Sequence, residues 1–281
     1  MLLWFWCCGA GAASGVMEYR YWDWGQTTKR DDYQFAVLHL ALGKTTPQFG
    51  PYQLTRVLRN YSTLRMRREL HLGEAINVNA GPWRPPGQDG PLERSIAVDV
   101  PILNGLLGLR SLLIRSEDLD KFRRIDSPAA LKALNAGQGR NWVEVDMYRR
   151  AGYSVVDSGH VSTLVPMLAN QRFDYLPLSV IEIDSVLASY PQYAGRLMAA
   201  PGILLTYPLP VVFHVSPRHP ELARRLHRGL NMARRDGSLD ALLLRFFSDE
   251  LAAARRVRHV FKVPNPAPPA DMLRDPLATP R

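Results

Sequence analysis

Apolar residues recur along most of the chain either at every second position, as in a strand, or at helical spacing, and segments of the two kinds alternate. Residues 52–58 alternate between apolar and polar side chains, as a strand with one buried face does. Residues 63–72 follow with helical spacing behind Ser62, a residue type that caps helix N-termini. Residues 220–235 and 238–254 are two amphipathic helical segments. Strands that alternate with helices predict an α/β fold, in which helices cover the faces of parallel sheets.

Three further segments carry more specific expectations. Residues 32–42 are apolar at helical spacing and are followed by Gly43, which predicts that a helix ends there. Residues 106–115 are an apolar run of strand length, which we expect to cross from one half of the molecule to the other. Residues 263–281 hold six prolines and predict an extended tail.

Length and composition indicate an ordinary globular protein. At about 150 residues per domain, the 281 residues suggest two lobes or one large domain. Apolar residues make up 46% of the chain and charged residues 22%, which excludes wholesale disorder. The formal net charge of +9 comes mainly from arginines, but they are spread over amphipathic helices, where a solvated helix face explains them. We therefore expect no nucleic-acid partner.

The first fifteen residues predict a secretory signal peptide, residues 1–15. They carry no charge and run from large apolar residues into small ones, and they are too short to span a bilayer. A buried N-terminal segment is the alternative. Both cysteines, Cys7 and Cys8, lie in this segment, so a processed chain has no thiol for a disulfide or a metal. The expectation is an exported, periplasmic protein.

Four segments of the chain, residues 64–79, 92–106, 131–175 and 207–247, follow one another in the order and at the intervals of a known family. They resemble the type II periplasmic binding proteins, and specifically solute-binding protein family 3, the substrate-binding proteins of amino-acid ABC transporters. The resemblance implies two lobes, each a mostly parallel sheet flanked by helices, joined by two hinge strands around a ligand cleft.

The resemblance also implies a division of the chain. Residues 16–109 would form the first part of lobe 1, and residues 110–210 would form lobe 2. Residues 211–260 would return to lobe 1, and residues 261–281 would be a Pro-rich C-terminal tail.

The first candidate site residue is Arg94, which matches the position where amino-acid-binding members place an arginine for the ligand's carboxylate. A planar guanidinium can hold a carboxylate through two parallel hydrogen bonds. The alternative is a salt bridge to Glu93 or Asp99. Arg65 and Arg110 are further candidates for charges in the cleft.

A glycine-rich loop, residues 137–142, matches the second-lobe loop that leads into a helix. The free amides of a helix N-terminus can receive an anionic ligand group, and Gly139 would let the backbone approach closely. Arg140 adds positive charge, and Trp142 could stack on the ligand. A simple turn is the alternative.

Ser179 stands where amino-acid binders usually carry an aspartate for the ligand's ammonium group. Glu182, three residues later, could supply that negative charge. The two residues also form the pattern of a capping box, which satisfies helix N-terminal amides without any ligand. The departure from aspartate favours an anionic ligand over a free α-amino acid.

An aromatic cluster falls where the family's first strand ends at the cleft. Tyr21 and Trp22, with Tyr19 and Trp24 beside them, could hold a ligand by stacking, whereas a strand with alternating aromatic residues is also typical of a core.

The residues predict binding rather than catalysis. The chain has no HExxH metal pattern and no Gly-x-Ser-x-Gly nucleophile pattern, and we expect no cofactor or metal. The leading hypothesis is a monomeric, non-enzymatic binding protein that captures a small polar, carboxylate-bearing and amino-acid-like ligand for a membrane permease. One alternative is an extracytoplasmic sensory or partner-binding module of the same fold. A second is an enzyme similar to cyclohexadienyl dehydratases, with Glu182 as the general acid.

Overall fold

Strands and helices alternate as predicted in the computed structural model, which describes residues 15–277. In chain order the strands are β1 (Met17–Asp23), β2 (Tyr52–Leu58), β3 (Val78–Pro82), β4 (Ile96–Val98), β5 (Leu109–Arg115), β6 (Asn135–Gln138), β7 (Ser154–Asp157), β8 (Leu176–Ser179), β9 (Leu197–Thr206), β10 (Val211–Val215) and β11 (His259–Lys262). The helices are α1 (Thr28–Phe49), α2 (Thr63–Leu72), α3 (Leu119–Arg123), α4 (Pro128–Lys132), α5 (Glu144–Arg150), α6 (Val161–Ala169), α7 (Ile183–Ala188), α8 (Pro220–Arg235) and α9 (Ser238–Ala254).

The predicted signal peptide, residues 1–15, lies outside the described residues except for Gly15, and so do the last four residues of the predicted tail. Within the described part of the chain, no helix combines the length and the apolar character needed to cross a membrane.

Lobe 1 is built on a five-stranded sheet with the order β2-β1-β3-β10-β4. Strand β1 runs parallel to β2 and β3, whereas β10 runs antiparallel to β3 and β4. Helices α1, α8 and α9 pack against one another, and α8 also packs against β4 and β10.

Lobe 2 is built on a four-stranded sheet with the order β11-β9-β5-β8 and on the parallel pair β6 and β7. Strand β5 runs antiparallel to both of its neighbours, and β11 runs parallel to β9. The two-lobed α/β fold therefore agrees with the prediction, but the two main sheets are mixed rather than mostly parallel. The reason is that β5 and β10, the strands that enter from the hinge, run against their neighbours.

The chain crosses between the lobes at two close points of the hinge. A 3₁₀ turn at Leu106–Gly108 leads into β5, whose seven residues are all buried, and residues 207–210 connect β9 to β10. The two crossings are hydrogen-bonded to each other, since the amide of Tyr207 donates to the Gly108 carbonyl at 3.0 Å. One buried apolar cluster continues through this hinge from lobe 1 into lobe 2.

Helix α1 is longer than predicted. It does not end at Gly43 but continues to Phe49, and Gly50, at a φ of 75°, ends it by donating to the Thr46 carbonyl. The continuation has a packing reason, because Thr45 is buried against the neighbouring helix α8. The periodicity of apolar residues missed this turn since its buried position is polar.

One arginine predicted to lie on a solvated helix face is buried instead. Arg225 in α8 is fully buried, and its guanidinium donates to the carbonyls of Leu42 and Gly50 at 3.3 and 2.8 Å. It also donates to the Thr45 hydroxyl at 3.2 Å. Arg225 thus satisfies carbonyls at the C-terminal end of α1, as basic residues do there.

The segment expected to be a free tail is partly built into the fold. Strand β11 extends from His259 to Lys262 and pairs with β9 of lobe 2, so it spans the predicted boundary at residue 260. Beyond it, Val263 and Met272 are buried. After Val263 the proline-containing segment forms no strand or α-helix in the described residues, only a 3₁₀ turn at Ala270–Met272. The apolar residues before it form a strand because β9 offers a free edge.

Candidate functional site

A cavity of about 170 Å³ lies between the lobes, next to the hinge. Lobe 1 contributes the end of β1, the start of α1, the start of α2 and β3. Lobe 2 contributes residues 141–144, the beginning of β5, and the turn before α7. The charged side chains that line it are Arg30, Asp31, Arg67, Arg84, Arg110, Glu144 and Glu182.

Arg110 is the centre of the charge network on the lobe 2 side. It follows Leu109 at the start of β5, and its guanidinium is 4% exposed. It donates to Glu182 at 3.1 Å, to Glu144, and to the hydroxyl of Tyr207 at 2.8 Å. Burial acts to lower the pKa of the guanidinium, but Tyr207, Glu144 and Glu182 outweigh it and raise the pKa. Arg110 is therefore a permanent cation whose donors are already used by the protein.

Glu182 connects this network to lobe 1. One carboxylate oxygen accepts from Arg30 of α1, and the other accepts from Arg110 and from the amide of Ser179 at 3.0 Å. Arg30 also forms an ion pair with Asp31 at 3.3 Å. Burial acts to lower the pKa of Arg30, whereas Glu182 and Asp31 raise it, and the net direction is upward.

A second group of cations lies on the lobe 1 side. Arg84 donates to both oxygens of Asp89, at 2.8 and 3.1 Å. Arg67 has a weaker partner, since its guanidinium lies 4.0 Å from Glu93, and its Nε is buried without a hydrogen-bond partner among the described residues. Burial and the neighbouring charge of Arg84 lower the pKa of Arg67. Of the four arginines that line the cavity, Arg67 has the longest ion pair.

Aromatic side chains form much of the remaining wall. They come from the end of β1 and from the loops beside it and opposite to it, and they are Tyr21, Trp22, Trp24, Tyr61 and Trp142. The hydroxyl of Tyr21 donates to Gln34 at 2.8 Å, and the indole of Trp22 donates to the carbonyl of Arg59 at 2.9 Å. The polar atoms of Tyr21 and Trp22 are thus satisfied within the protein.

The structure brings together four of the residues predicted from the sequence as ligand-binding. Tyr21, Trp22, Trp142 and Glu182 all line the cavity, as do the lesser candidates Trp24 and Arg110. Tyr21 is only 1% exposed and contacts Phe213 edge to face, so it also belongs to the core.

Arg94 is not at the cavity. Its side chain is exposed, and its carbonyl lies 3.1 Å from Nδ1 of His71. Arg65, the lesser candidate on α2, is also exposed and forms an ion pair with Glu69 one helical turn away. Helix α2 therefore presents Arg67, rather than Arg65, to the space between the lobes.

Gly139 and Arg140 lie behind the cavity wall. Arg140 is exposed. The Gly139 carbonyl accepts from the amide of Trp142 at 3.1 Å, and a Cβ on Gly139 would lie 2.2 Å from the indole. Glycine is needed here because the ring of Trp142 packs on the backbone, and the loop thereby positions Trp142.

The helix after this loop, α5, carries a carboxylate of its own at its N-terminus, beside the cavity. It has seven residues, and its first residue, Glu144, is buried with its carboxylate on Arg110. The negative charge at this helix N-terminus is supplied by the protein itself.

Ser179 is fully buried below the cavity floor. Its hydroxyl donates to the carbonyl of Leu106 at 2.7 Å, while its amide donates to Glu182. Half of the capping box is therefore formed, and Glu182 both caps the turn and faces the cavity.

The sequence prediction missed Arg30, Arg67 and Arg84. Arg67 was counted among the charges of a solvated helix face, yet it lies four residues after Thr63, which lines the cavity, and three before Leu70, which is buried. That spacing is the one signal in the sequence that separates it from its neighbours. Within residues 15–277, no three His, Cys, Asp or Glu side chains are grouped as a metal site requires.

Comparison with known proteins supports the fold. No family model matches the sequence, and no curated protein matches it. Among solved structures, an amino-acid ABC transporter substrate-binding protein from Streptococcus pneumoniae, bound to L-arginine, is 13% identical with a TM-score of 0.52, covering 82% of this chain and 94% of its own. A histidine kinase sensor domain with similarity to periplasmic binding proteins is 14% identical with a TM-score of 0.52, covering 83% and 96%.

A third solved structure is an ancestral amino-acid-binding protein described as a precursor of cyclohexadienyl dehydratase. It is 13% identical with a TM-score of 0.51, covering 82% of this chain and 95% of its own. The two-lobed type II periplasmic-binding-protein fold predicted from the sequence is confirmed, and the proteins that share it include binding proteins and a sensor domain.

Proposed function

We propose that this chain is an exported, periplasmic solute-binding protein that captures a small carboxylate-bearing, amino-acid-like metabolite between its lobes and presents it to an ABC-type permease. The observation that carries the proposal is the interlobe cavity, in which Arg67 stands with an incompletely paired guanidinium among aromatic walls. A carboxylate would supply the partner that the buried Nε of Arg67 lacks. The substrate-binding protein from Streptococcus pneumoniae shares the fold and binds an amino acid.

The size of the cavity limits the ligand. Drug-sized ligands occupy cavities of about 300–1,000 Å³, whereas this one is about 170 Å³. A metabolite the size of a small amino or keto acid fits that space better than a peptide or a nucleotide. The proposed partners are therefore a small molecule and a permease, with the binding protein acting as a monomer and without a cofactor.

The charge network favours binding over catalysis. A general acid must present a proton to its substrate, but both oxygens of Glu182 already accept hydrogen bonds from Arg30, Arg110 and the Ser179 amide. A dehydratase-like role, which the ancestral protein brings to mind as a second candidate, would have to displace one of these donors. We expect no turnover of prephenate-like acids by the purified protein.

The test is a calorimetric titration of the purified protein with a panel of α-amino acids and the matching acids without an amino group. For a ligand that binds, Arg67→Gln should weaken affinity by at least about tenfold, since loss of a hydrogen bond to a charged group costs about 1.5–3 kcal/mol. Arg94→Gln is the matched control, because Arg94 is exposed.

Either variant can contradict the assignment. If Arg94→Gln abolishes binding and Arg67→Gln does not, the carboxylate position predicted from the sequence is the better proposal. If no acid of the panel binds, the solute-binding proposal fails. The sensor domain of the same fold then becomes the better guide to function.

A further inference from the structure

The two lobes are joined across the cleft by side chains as well as by the hinge. Arg30 lies in the first turn of α1 in lobe 1, whereas Glu182 immediately precedes α7 in lobe 2. Their ion pair spans the cleft at the wall of the cavity, and the two side chains are 13% and 6% exposed. Each charged group therefore loses most of its water when the lobes are closed.

An aromatic contact accompanies this ion pair. Trp24, in the loop before α1, packs against the apolar cluster of lobe 2 that contains Leu113 and Leu164. The guanidinium of Arg30 lies 5.2 Å from the centre of the Trp24 ring, within the range of a cation–π contact. Lobe 1 thus reaches into lobe 2 with two neighbouring side chains, one apolar and one charged.

We propose that Arg30, Trp24 and Glu182 form an intramolecular latch that closes the interlobe cleft without a bound ligand. The proposal concerns the regulation of the cleft and rests on the proposed function only in treating the cavity as the ligand site.

The contacts inside each lobe make the latch reversible. When the lobes separate, Arg30 keeps Asp31 at 3.3 Å on its own helix, and Glu182 keeps Arg110 and the Ser179 amide within lobe 2. After opening, both charged groups therefore still have a partner. A buried charge left without a partner is the main cost of breaking a buried ion pair, and that cost is avoided here. The closed and open arrangements can then differ by little free energy, as a conformational switch requires.

The latch reduces the number of charged groups that a ligand must carry to be enclosed. In a cleft without it, the ligand has to supply the groups that hold the lobes together. Here Arg30 and Glu182 supply opposite charges from the two sides, so a ligand need not carry both an ammonium and a carboxylate to be enclosed.

The test measures the distance between the lobes in the absence of ligand. Spin labels are attached to cysteines at Gln53→Cys in β2 and Asp146→Cys in α5, two exposed positions in different lobes, in a chain with Cys7 and Cys8 replaced by serine. Pulsed electron paramagnetic resonance should show one narrow distribution at a short distance between the two labels in the chain that carries no further substitution. Arg30→Gln should shift much of the distribution to longer distances, and Trp24→Ala should do so as well.

Two further variants serve as a second reading and a control. Glu182→Gln should lengthen the distance between the lobes as Arg30→Gln does, but it also removes a partner of Arg110. If Glu182→Gln does not fold, the Arg30→Gln result alone tests the latch. Arg149→Gln removes an exposed ion pair to Asp157 within lobe 2, at 2.7 Å, and should leave the distance unchanged. An Arg30→Gln distribution identical to that of the starting chain would overturn the latch.

Adding the acid panel separates this proposal from the proposed function. A chain that is closed without ligand and binds none of the acids keeps the latch and loses the solute-binding function. A chain that is open until an acid is added keeps the function and overturns the latch.

Discussion

At the scale of single residues, the histidine beside the cation group of lobe 1 has the clearest consequence for pH. His214 in β10 is 2% exposed; its Nε2 donates to the Pro82 carbonyl at 3.0 Å, and its Nδ1 lies 3.2 Å from the Ser95 hydroxyl. A carbonyl only accepts, so Nε2 carries the proton and Nδ1 accepts from Ser95 in the neutral ring. Burial first, and then the charge of Arg84, lowers the pKa of His214 from 6.5 to about 3.

We therefore predict that acid destabilises the protein through His214. In the unfolded chain His214 binds a proton near pH 6.5, whereas in the folded chain it stays neutral down to about pH 3. The free energy of unfolding therefore has its full value above pH 6.5 and decreases as the pH falls towards 3. The loss should approach about 1.4 kcal/mol per pH unit. Urea unfolding at pH 7, 6, 5 and 4 measures it, and His214→Gln should show a shallower slope at the cost of lower stability at pH 7. The control is His39→Gln, because His39 is exposed. An equal dependence of unfolding free energy on pH in all three proteins would refute the assignment to His214.

Local chemistry could be predicted from the sequence, whereas burial of charges could not. The Ser62 hydroxyl accepts from the amide of Arg65 at 3.3 Å, as its position before a helical segment indicated. A cap depends on neighbours three residues away. The burial of Arg67 depends on Arg84 and Glu93, which are brought over it by a loop whose course the sequence does not reveal.

At the scale of elements, the strand at the predicted tail carries the next prediction. Phe261 in β11 is 7% exposed and is paired with Leu205 of β9, whereas Lys262 beside it is exposed. Phe261→Ala should destabilise the protein by about 3–5 kcal/mol, because it removes a buried ring. Lys262→Ala should change stability by no more than about 0.5 kcal/mol. Urea unfolding compares the two variants; equal, small effects would mean that β11 does not belong to the core of lobe 2.

The success of element prediction depended on whether an element's buried face is apolar. Helices α8 and α9 have the limits expected from their amphipathic pattern. The last turn of α1 escaped prediction because its buried residue is Thr45, whose hydroxyl accepts from Arg225, 180 residues away in the chain. Strand β11 escaped because four residues are too few for a period to be visible.

At the scale of the whole molecule, the fold could be predicted but the closure of the cleft could not. The order of elements is a property of the entire sequence, and it led to the two-lobed fold that solved structures share at 13–14% identity. The contact that spans the cleft joins Arg30 to Glu182, which are 152 residues apart in the chain and lie in different lobes. Only the packing of one lobe on the other brings these two residues together.

The segment after β11 lies across the hinge and returns to lobe 1. The side chain of Asn265 donates to the carbonyl of Pro208, in one crossing segment, at 2.7 Å. Further on, the Arg274 carbonyl lies 2.7 Å from where a Cβ on Gly105 would be, just before the other crossing segment, and Gly105 has a φ of 83° that favours glycine. Leu277 packs against the core. Residues 264–277 therefore contact both crossings, and we expect them to restrain the opening of the lobes.

Removal of this segment should loosen the hinge without unfolding the lobes. In a chain that lacks residues 264–281, amide hydrogen exchange at residues 104–109 and 206–211 should become faster, because local openings there lose the contacts of Asn265 and Arg274. The amides of β1, which lies between β2 and β3 in the sheet of lobe 1, should keep their protection. A chain that lacks only residues 278–281 is the control and should behave like the full chain. Unchanged exchange at both crossings in the longer deletion would show that the two connections between the lobes set the hinge stiffness without help from the C-terminal segment.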